Sequence, residues 1–191
     1  MPNSRGVAVT SCIVTVGATA RILLGELALA SPIGLFGVMI KVGLTETLTI
    51  ASGLAMGAVT GFVTGVLIIV VSDLFILPGA WTPFIASIIG LLGLIAGIGR
   101  RRFRIETPPA FALLAILLTI VSEFLQNLWV SVFYSVPISA TVLAGLPSLF
   151  TALANNVILL STAGARVVAL IQQAAGGYST ARDPWRNRGQ C

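Results

Sequence analysis

The sequence predicts an all-α integral membrane protein with six transmembrane helices and both termini in the cytoplasm. Three observations predict it. Of the 191 residues, 57% are hydrophobic and only 9% are charged, with a mean hydropathy of +1.03; a soluble domain carries about a quarter charged residues. Apolar blocks run about 7–30, 42–76, 83–99, 108–135 and 147–171, near or above the roughly 20 residues that cross a bilayer. The arginines gather at Arg100, Arg101, Arg102 and Arg104 and again at Arg182, Arg186 and Arg188, as cytoplasmic segments of membrane proteins do.

The first helix covers about 7–30. Arg5, the apolar stretch and Ala18-Thr19-Ala20 resemble a secretory leader, but the apolar character resumes at once in Ile22-Leu23-Leu24. The second block is too long for one span: about 35 residues would make a helix of about 50 Å against a hydrocarbon core of about 30 Å. It therefore divides into helices at 42–56 and 58–76 that turn near Met56-Gly57. Charge alone scores five and six spans equally, because Lys41 and Arg5 exchange sides; length decides for six. Pro83, Pro108 and Pro147 each open an apolar run, where a missing N–H costs nothing. They start helices at 83–99, 108–134 and 147–172. Leu77 to Thr82 reads as a tight external loop with an interfacial tryptophan, Trp81. Residues 135–145 either extend a helix or form an external loop. A polar cytoplasmic tail, 176–191, follows.

Absences argue against an enzyme. The chain has no histidine, so His-based triads and His-ligated metals are excluded. It also lacks a GxSxG elbow and a phosphate-binding GxxxxGK[ST] loop. Two aspartates, one of them in the tail, cannot build the multi-carboxylate metal site of a membrane phosphotransferase, and no cofactor is implied. The two cysteines, Cys12 and Cys191, lie at opposite ends and suggest no disulfide framework. A pI near 10.3 reflects loop arginines and not nucleic-acid binding.

Six spans assign each intramembrane polar residue a depth. Arg21 lies roughly 21 Å above the cytoplasmic start of the first helix, and Glu123 roughly 22 Å up the fifth. Glu46 is a turn below the outer start of the second helix, and Asp73 ends the third. Asn155 and Asn156 fall about 12 Å below the outer start of the sixth. All occupy the outer half. An ionisable group in a membrane costs about 2.5–3.5 kcal/mol on insertion scales and by default marks a functional site with a partner. Arg21 is expected to pair with Glu46 or Glu123. Glu123 and Asn127, four residues apart, share a helix face that Asn155 and Arg21 approach at similar height. The predicted substrate-binding set is Arg21, Glu46, Trp81, Glu123, Asn127 and Asn155. The competing reading is that such groups snorkel to the headgroups, which weighs most for Glu26, Lys41 and Asp73. Trp81, Trp129 and Tyr134 supply either pocket walls or an interfacial belt.

Small residues mark close helix approach in membranes. Gly57, Gly61 and Gly65 recur at i, i+4 and i+8. The inner part of the first helix carries Gly6, Ala8, Ser11, Cys12 and Thr15. Of these, Ala8, Ser11 and Cys12 are the candidate docking face for another membrane subunit.

The run Ala55-Met56-Gly57-Ala58-Val59-Thr60-Gly61-Phe62-Val63-Thr64-Gly65, then Ser72-Asp73-Leu74-Phe75 and Pro78-Gly79-Ala80-Trp81-Thr82-Pro83-Phe84, resembles the substrate-binding S components of energy-coupling factor (ECF) transporters. The resemblance spans nearly the whole chain and includes the basic loop Arg100–Arg104. It implies a multi-pass cell-membrane protein that captures a vitamin or similar micronutrient. The substrate would pass inward by toppling of the protein against a transmembrane coupling subunit and two ABC ATPases. Nothing in this chain hydrolyses ATP, which agrees with energy supplied by partners. The rivals are a structural membrane subunit of the rod-shape-determining type and a stand-alone small-solute transporter. The latter usually shows paired inverted halves, which are not visible here.

Overall fold

The computed structural model describes residues 4–30, 43–76, 78–102 and 107–176. Lys41, Arg104 and the tail beyond Gly176 lie outside them. Among the described residues there are six helices and no strand: α1 Ser4–Ala30, α2 Leu44–Met56, α3 Ala58–Ile76, α4 Thr82–Arg102, α5 Pro108–Tyr134 and α6 Ile138–Ala174. All but α2 are long and apolar enough to cross a membrane. With 13 residues, α2 is about 20 Å long.

That short helix is the centre of the bundle. It packs against α1, α3, α4 and α6, and every residue from Thr49 to Ala55 is buried. Ile50 and Leu54 of α2 meet Ile69, Leu92, Ala96, Phe111, Ala115, Leu118 and Leu160 in the main apolar core. A smaller cluster joins Ala51 and Ala55 to Ile13 of α1 and Ile171 of α6. Lipid tails are as apolar as leucine, so helices in a membrane associate by close packing and hydrogen bonds, not by escape from water.

Glycine supplies the close packing. A Cβ on Gly53 of α2 would lie 2.1 Å from the Gly93 carbonyl oxygen of α4, and one on Gly93 would lie 2.4 Å from that of Gly61 on α3. A Cβ on Gly61 would come within 2.6 Å of the Gly53 Cα. Three helices thus cross backbone to backbone at one point. Gly65 extends the α3–α4 contact, with its Cβ position 2.9 Å from the Gly90 nitrogen. Gly57 does not share this role. It sits between α2 and α3 at φ 104°, in the region that side chains other than glycine rarely adopt. It makes the sharp reversal, and only Gly61 and Gly65 form the packing face.

The α5–α6 pair completes the bundle. Ser135 ends α5 in a left-handed conformation, its neighbour Val136 donates its backbone N–H to the Ser131 carbonyl, and α6 begins directly after Pro137. This corrects the expected start at Pro147: residues 138–146 extend the helix, and Pro147 lies inside it. Proline within a membrane helix is tolerated when neighbouring groups take up the freed backbone positions; here the freed position is the Leu143 carbonyl, one turn before Pro147. At 37 residues, α6 is about 55 Å long.

Candidate functional site

The buried faces of three helices bring polar groups together. On α5 the buried set is Phe111, Ala115, Leu118, Thr119, Ser122 and Glu123, a helical stripe whose upper half is polar. On α6 the buried set includes Ala152, Asn156, Leu160 and Gly164, spaced by four. On α2 the first turn contributes Glu46 and Thr47.

Asn156, fully buried, is the hub. Its amide nitrogen donates to Glu46 Oε2 and to Thr119 Oγ1 at 2.9 Å. Its carbonyl oxygen accepts from Thr47 Oγ1 at 3.3 Å. Glu46 Oε1 accepts from Ser122 Oγ at 3.3 Å, and Gln126 Nε2 donates to that hydroxyl at 2.9 Å. A continuous chain of hydrogen bonds therefore crosses from α2 through α6 to α5. Ser148 Oγ lies 3.5 Å from Glu123 Oε2. Glu46 and Glu123 are 6% and 4% exposed, so two carboxylates stand in the interior among amides and hydroxyls. Such a set can receive hydrogen-bond donors and positive charge, and its amides can donate in return.

A second polar cluster uses other helices. Arg21 of α1 forms an ion pair with Asp73 at the end of α3 and donates to Ser72 Oγ. Asp73 Oδ2 accepts from Thr82 Oγ1 at 2.7 Å, and Thr82 Oγ1 in turn accepts from the Gly79 N–H at 3.2 Å. The cluster ties α1, α3 and the start of α4 to the loop between them. The expected pairing of Arg21 with Glu46 or Glu123 is thereby replaced by Asp73, which is buried and does not snorkel. Its position follows from α3: Gly61, Thr64, Gly65, Ile68, Ile69, Ser72 and Asp73 are one face, so Asp73 must point inward.

The six predicted site residues therefore divide. Glu46 and Glu123 lie in the α2–α5–α6 cluster. Asn127 stands beside it, its Nδ2 donating to its own helix at the Glu123 carbonyl, 2.9 Å away, with its carboxamide against Gly145. Arg21 belongs to the Asp73 cluster, and Trp81 folds over Gly79 in the adjoining loop. Asn155 is half-buried beside the hub, but the hub itself is Asn156. The sequence carries the signal that separates them: Ala152, Asn156, Leu160 and Gly164 share one face, and Asn155 falls off it. Because α6 starts at Ile138, Asn156 lies about 27 Å from that end of the helix, near its middle and deeper than a start at Pro147 implies.

The aromatic residues form their own group. Trp129 stacks on Phe133 with centroids 5.0 Å apart, meets Phe84 of α4 and is edged by Tyr134. Of the proposed docking face, Ala8, Ser11 and Cys12 are all exposed. Comparison with protein-family models, with curated proteins and with solved structures finds no match to this chain.

Proposed function

We propose that the chain is the membrane-embedded substrate-binding subunit of an ECF-type importer, taking up a vitamin or similar micronutrient across the cell membrane with both termini in the cytoplasm. The observation that carries this reading is the hydrogen-bonded chain of Glu46, Asn156, Ser122 and Gln126 inside the bundle. Buried ionisable groups in membrane helices are costly and by default mark a ligand pathway. The helix that brings Glu46 inward has only 13 residues, and its polar first turn meets Asn156 and Ser122 inside the bundle. The exposed Ala8, Ser11 and Cys12 support a face for a transmembrane coupling subunit, whose two ATPases would provide the energy.

Mass spectrometry of the small molecule retained by the detergent-purified chain tests the reading directly. With that ligand in hand, Asn127→Ala and Asn155→Ala should each weaken binding by about 5- to 150-fold. A structural scaffold gives another result: no retained ligand, and variants that lower the melting temperature without any affinity to lose. Bulky replacements at the docking face, Ala8→Trp or Ser11→Trp, should block co-purification with an ATPase module and leave ligand binding intact.

A further inference from the structure

The helices α1 and α3 touch at one end of the bundle and part at the other. At the closed end Arg21 pairs with Asp73, and Gly17 lies against Ile68. Toward the opposite end a furrow of about 580 Å³ opens between them, floored by Ala55 and Met56 at the end of α2. Its walls are Val7 of α1 and Val59, Val63 and Leu67 of α3, and Val7 and Val59 are 53% and 76% exposed. The apolar wall runs about 12 Å along α3 from Val59 to Leu67.

Charge is confined to one end of this furrow. Arg100 lines it and is held there by donating to the Ala55 carbonyl at 2.6 Å. Arg5 does not line the furrow but neighbours it in sequence at Gly6, and its guanidinium lies beside Gly176, the residue after the lining Ala175. Among the described residues neither arginine has a carboxylate partner, because the ion pair found there is Arg21–Asp73. Thr10, Ser11 and Gln172 add hydroxyl and amide groups at the same end.

We propose that this furrow is a binding site for an anionic phospholipid, with the headgroup phosphate on Arg5 and Arg100 and an acyl chain along Val7, Val59, Val63 and Leu67. The chemistry of the furrow is polar at the helix ends and apolar toward the middle, open sideways to where lipid stands. Basic pockets between membrane helices take such headgroups. The proposal goes beyond the importer reading and does not depend on it. It also occupies a different face of α1: Val7 and Thr10 centre about 140° around the helix from the stripe of Ala8, Cys12 and Thr15, with Ser11 at the border.

Native mass spectrometry of the full chain, titrated in detergent with palmitoyl-oleoyl phosphatidylglycerol or the matching phosphatidylcholine, tests it. The wild type should retain phosphatidylglycerol in preference. Arg5→Gln and Arg100→Gln should each reduce that preference roughly fivefold. Arg100→Lys should restore most of it, which separates charge from the Ala55 contact. Arg166→Gln, exposed on α6 away from the furrow, should change nothing. Val63→Trp should fill the furrow and reduce retention of both lipids. Equal retention of the two lipids by the wild type overturns the proposal, as does an unchanged preference in Arg5→Gln or undiminished retention of both lipids in Val63→Trp. So does a Val63→Trp chain that keeps its lipid but no longer co-purifies with a partner subunit, because the furrow would then belong to a protein helix.

Discussion

Asn156 donates to Glu46 and Thr119 and accepts from Thr47, so deleting its amide removes a hydrogen bond to a buried carboxylate and two to hydroxyls. Losing a hydrogen bond to a buried carboxylate costs about 1.5–3 kcal/mol. Asn156→Ala should lower the unfolding free energy in detergent by about that much, while Asn155→Ala should cost under about 1.5 kcal/mol. Equal losses in the two variants would remove Asn156 from the hub. Asn156→Asp should be worse than alanine, because it sets a second carboxylate against Glu46. Gly43→Ala tests the same contact from the other side: its Cβ would fall 1.9 Å from Asn156 Oδ1. If Gly43→Ala acts by displacing Asn156, the double variant with Asn156→Ala should cost less than the sum of the two. Asp73→Ala should be milder, at about 1–2 kcal/mol, because Arg21 keeps 26% of its side chain exposed and can turn to a headgroup.

Gly53, Gly61 and Gly93 bring α2, α3 and α4 into backbone contact, and a methyl group there has no flexible neighbour to displace. Gly53→Ala or Gly93→Ala should cost about 1–3 kcal/mol or more, read as a lower melting temperature. Gly6→Ala and Gly99→Ala, with nothing within 4 Å, should be neutral or slightly stabilising because alanine favours helix. The contrast checks whether close approach and not helix propensity governs the glycines. Local spacing makes Gly61 and Gly65 legible as a packing face, and the length of the second block makes the break at Gly57 legible. The partners Gly53, Gly90 and Gly93 are not legible that way, since a contact between helices leaves no periodicity in either one. The start of α6 is hidden for a related reason. Pro147 fits a first turn by local rules, and only the packed helix ahead of it shows that it lies within.

At the scale of the molecule, α3 packs extensively on α4 and α5 on α6, while α5 meets α4 only lightly. The two groups are joined mainly through α2 and α6, where Asn156 meets Glu46. The division into six helices can be read from block lengths. Which carboxylate Arg21 selects cannot, because Glu46, Asp73 and Glu123 all lie at reachable depths and tertiary packing makes the choice. If α4 carries its arginine end into the cytoplasm, a single cysteine at position 102 should label only from the inside and one at position 81 only from the outside. Cys12 and Cys191 would first be replaced by serine. External labelling at position 102 would reverse the orientation and place the proposed binding cluster on the wrong side for uptake.

The glycine crossing also limits how this protein can move. Switching between two states needs a second packing of comparable energy, and packed interfaces usually find one by exchanging rotamers. Gly53, Gly61 and Gly93 have no rotamers to exchange. The crossing of α2, α3 and α4 is therefore expected to stay rigid, and a change of state, if the importer reading holds, is expected in α1 about its Arg21 anchor or in the α5–α6 pair about Asn156. Spin labels placed on α3 and α4 should hold one separation whatever the protein binds, while a label on α6 paired with one on α3 should report the change.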